Sequence, residues 1–479
     1  MELHVVIDGD KDLAGQIYRQ IKEAIQAGRL AAGEQVPPSR LLAQQLKVSR
    51  KTVSEAYARL TVDKLLVGQI GSGTFVNEVN VQGPPRARQF ASKDLAGAAA
   101  LKTWLGRSVP LPPPGSERRS GYDFVGGGAK GHFPVSEWRQ CVLHGLRKSQ
   151  ADRSFYSYAE GLPVLREAIA RHTSFARGVQ CVPMDVLVTN GAQQAIDLIA
   201  RVLLEPGCTV AVEDPGYPTA RMAFASQGAN IASIPVDDEG MIVDQIPDRT
   251  RLIYVTPAHQ FPLGMPMSLA RRKALLKRAS ELGAIIIEDD YDSEFRYEGR
   301  PTDSLQSMDS EGLVAFVGTF SKSMQPELRL GYLIAPPAIR EAVAIAKHLS
   351  DWHAPTMLQW ALAKFIDDGY LQKHIRRCHA IYASRRAQLL SRFATDLAPW
   401  LQPIAATAGF HMTALTRSDI DIPLLLKLAR RVDVGLYSTD VFYHEIPPTP
   451  GLFFGYGAIE TLDIAPALDR VKAILTEIA

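Results

Sequence analysis

The stretch Gly318-Thr319-Phe320-Ser321-Lys322-Ser323-Met324-Gln325-Pro326-Glu327-Leu328-Arg329-Leu330-Gly331-Tyr332 decides how the rest of this chain is read. It follows the apolar run Leu313-Val314-Ala315-Phe316-Val317, so Lys322 emerges just past a buried strand. A lysine in that place loses hydration, which favours the neutral amine and lets it attack an aldehyde. Thr319 and Ser321 add hydroxyls and Arg329 a guanidinium, together a cradle for a phosphate dianion. A lone lysine at such a point is ordinarily a solvated strand end. Amine, hydroxyls and arginine in one string are instead the equipment for a phosphorylated aldehyde, pyridoxal 5'-phosphate (PLP).

Other strand ends carry matching chemistry. Val186-Leu187-Val188-Thr189 reads as a strand, and Asn190-Gly191-Ala192-Gln193-Gln194 opens the helix after it. The free N–H groups and positive dipole end of that helix suit a phosphate. Val210-Ala211-Val212 runs into Glu213-Asp214-Pro215-Gly216-Tyr217-Pro218, and Ala284-Ile285-Ile286-Ile287 ends in Glu288-Asp289-Asp290-Tyr291. A carboxylate run at a strand end is, alone, as readily a solvated turn or a helix cap. Several strand C-termini converging on one crevice is what open α/β sheets provide.

In this order the motifs resemble those of the fold-type I aminotransferases, over most of residues 122–479. The resemblance implies a Schiff base between Lys322 and PLP. Its phosphate would be held by Gly191, Ala192 and Gln193 at the helix start, and by Thr319, Ser321 and Arg329. Tyr217 would stack on the pyridine ring, and Tyr291 would hydrogen-bond its phenolic oxygen. Asp289 would keep a proton on the ring nitrogen, so that the ring remains an electron sink.

At 479 residues the chain exceeds what one core normally supports. With 46% apolar and 22% charged residues it reads as an ordinary soluble protein. No apolar run approaches a membrane span, and Met1-Glu2-Leu3-His4 lacks the basic-then-apolar start of a signal sequence. Cys141, Cys181, Cys208 and Cys378 show neither CxxC nor CxxH spacing. They read as buried free thiols of a reducing cytoplasm, and no metal is expected.

The first 76 residues form a separate unit. Leu13, Ile17, Ile21 and Ile25 mark one face of a helix; Ser39 is placed to cap a second through Leu46, and Ser49 a third. In the third, Val53, Ala56, Tyr57 and Leu60 follow the spacing of a buried stripe. Arg50, Lys51 and Thr52 then occupy its exposed first turn, where a recognition helix meets bases and phosphates. Leu65-Leu66-Val67, a glycine-rich tip through Gly73, and Thr74-Phe75-Val76 read as a β-hairpin, which completes a winged helix-turn-helix. Charge does not make the case, since ten Lys/Arg face eight Asp/Glu over residues 1–76. The strings Tyr18-Arg19-Gln20-Ile21, Pro38-Ser39-Arg40-Leu41-Leu42-Ala43, Val48-Ser49-Arg50-Lys51-Thr52-Val53 and Gly71-Ser72-Gly73-Thr74-Phe75-Val76 are similar to the GntR winged-helix family. By that resemblance Arg40, Arg50 and Thr52 touch DNA, with Gly73 at the wing tip. Gln69 departs from the arginine that relatives often carry in the wing.

Residues 77–121 read as a linker, broken by Pro84-Pro85 and by Pro110-Leu111-Pro112-Pro113-Pro114. Its seven Lys/Arg against three Asp/Glu leave room for phosphate contacts, although a solvated linker is the simpler reading. A GntR-type reader joined to an aminotransferase-like domain resembles the MocR/GabR family of bacterial regulators over essentially the whole chain. His259-Gln260-Phe261-Pro262-Leu263-Gly264 and Glu288-Asp289-Asp290-Tyr291-Asp292-Ser293-Glu294-Phe295-Arg296-Tyr297 are typical of it. The expected architecture is a winged helix at 1–76 and, at 122–479, an α/β domain with a mainly parallel sheet and a smaller C-terminal subdomain. The expected role is a cytoplasmic regulator that binds double-stranded promoter DNA and senses PLP or a small amine or amino acid. Tyr156, five residues before Gly161-Leu162, matches a tyrosine that reaches the partner subunit's phosphate, which implies a head-to-tail homodimer.

Two departures bear on chemistry. Phe261 stands where aminotransferases carry an asparagine that aids Tyr291, and Phe453, in Leu452-Phe453-Phe454-Gly455-Tyr456, stands where relatives carry a carboxylate-clamping arginine. No arginine lies between Arg431 and Arg470, and Arg221 is the nearest substitute, though it reads better as a surface helix residue. Ordinary α-amino acids are therefore expected to act poorly. The effector is then an amine held by apolar contact, or PLP acting alone, with vitamin B6 genes as targets. A working aminotransferase that carries a DNA reader is the competing class.

Overall fold

The structure, a computed structural model, describes residues 5–9, 11–69, 72–77, 98–107, 120–124, 132–151, 154, 156–299, 303–444 and 449–478. The wing-tip residues Ile70 and Gly71 and both proline clusters of the linker lie outside them. The chain divides into two compact units, Met1–Arg107 and Ser108–Ala479.

In the first unit, helices Leu13–Gln26, Ser39–Leu46 and Arg50–Val62 pack on a small antiparallel sheet ordered Gln35–Val36, Gly73–Val76, Leu66–Gln69. Ile17, Ile21 and Ile25 meet Val53, Ala56, Tyr57 and Leu60 in one core, as the two apolar stripes require. Ser49 caps the third helix, its hydroxyl accepting from Thr52 N at 3.1 Å. Ser39 does not cap the second. Pro38 takes the N-cap with φ −53° and ψ 140°, a conformation its ring already favours, and Ser39 becomes the first helical residue. The strand Gln35–Val36, two residues long, is too short to leave a periodic signal. The alanine-rich patch expected within the linker forms the helix Ala98–Leu105, in keeping with alanine's propensity.

The second unit is built on an eight-stranded sheet. Its order is Val186–Thr189, Gly331–Ile334, Val314–Thr319, Ile285–Asp290, Thr250–Val255, Thr209–Asp214, Asn230–Asp237, Gly240–Met241. The inner strands pair in parallel, while Gly331–Ile334 runs against both neighbours. Helices cover both faces, so the central strands read as continuous apolar runs rather than alternating ones. A smaller subdomain carries an antiparallel sheet ordered Leu401–Pro403, His411–Thr416, Gly451–Gly455, Tyr437–Ser438, with its own core. Cys141 and Cys378 are buried as expected, but Cys181 and Cys208 are only half-buried. Cys208 sits in the turn before a strand, where one side of the chain stays open. Among the described residues no helix is long and apolar enough to cross a membrane.

Candidate cofactor site and nucleic-acid reader

A cavity of about 320 Å³ opens where the parallel strands end, as expected for an open α/β sheet. Ala192, Gln193, Tyr217, Asp289, Tyr291, Thr319, Ser321, Lys322 and Arg329 all line it. Gly191 adjoins it as N-cap of the helix Ala192–Leu203, whose first N–H groups receive no side-chain cap. Its φ is +81°, and an added Cβ would stand 3.0 Å from Arg329 Nη2. Arg329 itself is a non-glycine residue at φ +50° and donates to Asn190 O at 2.8 Å. Asn190 and Gln194 in turn donate to Asp351 at 2.6 and 2.7 Å, with Lys347 on the other carboxylate oxygen. The helix start and the guanidinium are thereby locked together as an anion cup.

Strand register separates the three consecutive acids. Successive side chains on Ile285–Asp290 point to opposite faces, so Glu288 and Asp290 turn away from Asp289. Glu288 accepts from Leu305 N and Gln306 N, both at 2.8 Å, and Asp290 pairs with buried Arg177 at 2.6 Å. Asp289 alone faces the cavity. Tyr254 donates to its Oδ2 at 2.6 Å, while Oδ1 is buried with no partner among the described residues. Burial pushes its carboxyl up to about 7, against the opposing pull of the Tyr254 hydrogen bond.

Lys322 leaves the strand Val314–Thr319 at its carboxyl end, its Nζ 5.6 Å from the centre of the Phe410 ring. Burial lowers its pKa, with Asp292 and Asp289 pulling the other way. The neutral amine is favoured. An orphaned buried acceptor, a desolvated amine and an anion cup around one cavity fit PLP at its ring nitrogen, its aldehyde and its phosphate.

Several lining residues were not expected from the sequence: Tyr254, Thr256, Phe410, His411, Tyr437 and Phe442. Tyr254 could have been found by strand period, since it stands two places before Thr256 on one face. Tyr291 Oη lies 3.0 Å from His259 Nδ1 and donates to His259 O at 3.0 Å. His259 Nδ1 also lies 2.9 and 3.0 Å from the two oxygens of buried Asp292. The histidine and second aspartate of the two quoted motifs thus brace the tyrosine that Phe261 leaves without an asparagine. Phe453 does enter the cavity wall, whereas Arg221 donates to Tyr443 O at 3.4 Å and does not line it. Tyr156 is not among the residues that line its own chain's cavity; its exposed ring lies 4.4 Å from Trp352.

In the first unit Arg40, Arg50 and Lys51 are exposed and form no ion pair among the described residues. Thr52 is half-buried, and its hydroxyl lies 2.7 Å from that of Ser49. Gly73 has φ +122°, and a Cβ there would clash with Gln35 Nε2. Gln35 Nε2 donates to Ser72 O at 2.7 Å, so this glycine lets the wing close onto the short strand.

Residues 127–434 match the family described as aminotransferase class I and II, and residues 13–76 match the bacterial regulatory proteins of the gntR family. The chain is 32% identical to the probable rhizopine catabolism regulatory protein MocR of Rhizobium meliloti, covering 98% of this chain and 95% of that one. It is 37% identical to the transcriptional regulator TauR of Rhodobacter capsulatus over 79% of each chain. The kynurenine aminotransferase of Pyrococcus horikoshii superimposes with a TM-score of 0.69 at 27% identity, over 81% of this chain and 97% of that one. A gntR-type winged helix and a class I and II aminotransferase unit in one chain, matched end to end by such regulators, make this protein a member of the MocR/GabR family of transcriptional regulators.

Proposed function

We propose that the second unit holds PLP on Lys322 and reports the state of that site to the DNA reader. The observation that carries this is that Lys322 and Asp289, whose buried Oδ1 has no partner among the described residues, line one cavity. PLP supplies an aldehyde that captures amines and a ring that withdraws electrons. This chain's residues do the rest. Gly191, Ala192, Gln193, Thr319, Ser321 and Arg329 hold the phosphate, and Tyr217 covers the ring. Asp289 Oδ1 keeps the ring nitrogen protonated, while Tyr254 fixes the carboxylate through Oδ2. Tyr291, braced by His259 and Asp292, meets the phenolic oxygen. Full transamination should be slow or absent, since neither Phe261 nor Phe453 can do the work of the polar residue expected there. Incubating the full chain with PLP and dialysing should leave one bound equivalent with a visible absorption band. A chain that retains no colour contradicts the assignment.

Asp289 also links function to stability. Its folded-state pKa of about 7 lies above the ~3.9 of an exposed aspartate, so the folded chain holds the extra proton. In the cofactor-free protein its contribution is fully present below about pH 4 and lost as pH rises towards 7. Asp289→Asn removes that buried charge. The cofactor-free variant should melt several degrees above wild type at pH 8, yet hold PLP roughly 10- to 100-fold more weakly. Unchanged PLP affinity would remove Asp289 from the site.

Arg40, Arg50, Lys51 and Thr52 are proposed to meet DNA, with the wing at Gly73 beside them. A head-to-tail homodimer would bring Tyr156 to the partner's phosphate. The exposed side chains of Tyr156, Ile345, Leu349 and Trp352 support a covered surface there. Sedimentation should give a dimer mass, and Tyr156→Ala should weaken PLP retention although the residue does not line its own chain's cavity. A monomer that holds PLP normally contradicts the dimer.

A further inference from the structure

Three phenyl rings line the cavity beside Tyr217 and Tyr291, each 5.8 Å from Phe261. Phe261 and Phe442 meet edge to face at 5.0 Å and 84°, Phe442 lies 5.4 Å from Phe453, and Phe453 lies 6.0 Å from Phe261. His411 stacks on Phe453 at 4.8 Å and 24°. The rings come from three separate places: the loop after Thr250–Val255, the turn Thr439–Phe442, and the strand Gly451–Gly455. Their mutual contact makes a continuous apolar wall in a cavity that is also lined by Asp289, Lys322 and Arg329.

The charges around that wall are one-sided. Among the described lining residues the basic side chains are Lys322, Arg329 and His411. Lys322 is the amine that bonds the cofactor, and Arg329 is held at the phosphate end by Asn190 O. Burial pushes His411 well below its ordinary pKa, with His259 and Lys322 adding to the effect, so it is neutral. Among the described residues, a carboxylate carried to the phenyl wall would lose its water and gain no cation, an uncompensated burial. The amine escapes that penalty, because it goes to the aldehyde held at Lys322 and leaves only the ligand's body at the phenyl rings. An aromatic body would pack edge to face against rings already arranged that way.

We infer that the ligand sensed here is a compact primary amine with an aromatic or bulky apolar body and no α-carboxylate. The inference rests on the cofactor reading above and adds to it the class of ligand. The wall selects by refusing the carboxylate as much as by accepting the ring.

The matched probes are 2-phenylethylamine and L-phenylalanine, which share a ring and an amine and differ by the carboxylate. Each is titrated into the PLP-loaded full chain while the visible spectrum and the melting temperature are followed. 2-Phenylethylamine should perturb the bound chromophore and raise the melting temperature at concentrations about tenfold or more below those of L-phenylalanine. Phe453→Arg should reverse that order, and Phe453→Leu should weaken the amine without improving the amino acid. The retained chromophore of each variant shows that it has folded. Equal or tighter binding of L-phenylalanine to wild type overturns the inference. A chromophore that neither probe perturbs also overturns it, because the rings then only seal the cofactor. A protein that never acquires the chromophore overturns the cofactor reading, and this inference with it.

Discussion

Lys322→Ala is expected to leave a folded chain with no covalent hold on PLP. Borohydride treatment of the PLP-loaded wild type should fix one cofactor mass per chain, and the variant should show none. The expected loss is complete because the cavity offers no other lysine among its described lining residues. PLP should still enter the variant reversibly, since the anion cup of Gly191, Ala192, Gln193 and Arg329 does not use Lys322. A variant that is still labelled after reduction would place the reactive amine elsewhere. Loss of the cofactor together with loss of the melting transition would mean that Lys322 is structural, and Lys322→Arg would then separate the two roles.

Arg50→Ala carries the second large effect. The side chain is exposed on the first turn of the helix Arg50–Val62, with no partner to release among the described residues. Its removal should weaken binding to DNA from upstream of the chain's own reading frame by about 1–3 kcal/mol, roughly 5- to 150-fold. PLP binding should be unchanged, because the two units have separate cores. Wild-type affinity should fall as salt rises, through counterion release, and the slope should be smaller by about one for a lost phosphate contact. An unchanged affinity would move the recognition surface away from this helix.

How much of this was legible in the sequence depended on where each residue stands. Lys322, Thr319 and Arg329 sit in one short string after an apolar run, so strand, exit and chemistry could be read together. The stripe Val53, Ala56, Tyr57, Leu60 gave its helix for the same reason: the signal is local and periodic. The acids Glu288, Asp289 and Asp290 marked a strand end but not which of them faces the cavity, because that follows from register against Val317 and Gly318 on the neighbouring strand. The aromatic wall was half legible. Phe261 and Phe453 stood out as departures from a motif, whereas Phe442 and His411 join them only through the fold of the smaller subdomain. Gly73 looked like a wing-tip glycine; its contact with Gln35, 38 residues earlier, belongs to tertiary structure.

If the state of the Lys322 site governs the DNA reader, one titration reveals it. Upstream duplex DNA is titrated with wild type and with Lys322→Ala, each without PLP, with PLP, and with PLP plus 2-phenylethylamine. A ligand shifts an equilibrium only by its differential affinity for the two states, so coupling must appear as a difference in DNA affinity between forms. At least one loaded form of the wild type should differ from the cofactor-free form by about tenfold, while Lys322→Ala should bind DNA alike in all three. Equal DNA affinity of the three wild-type forms would show that the Lys322 site and the DNA reader are uncoupled.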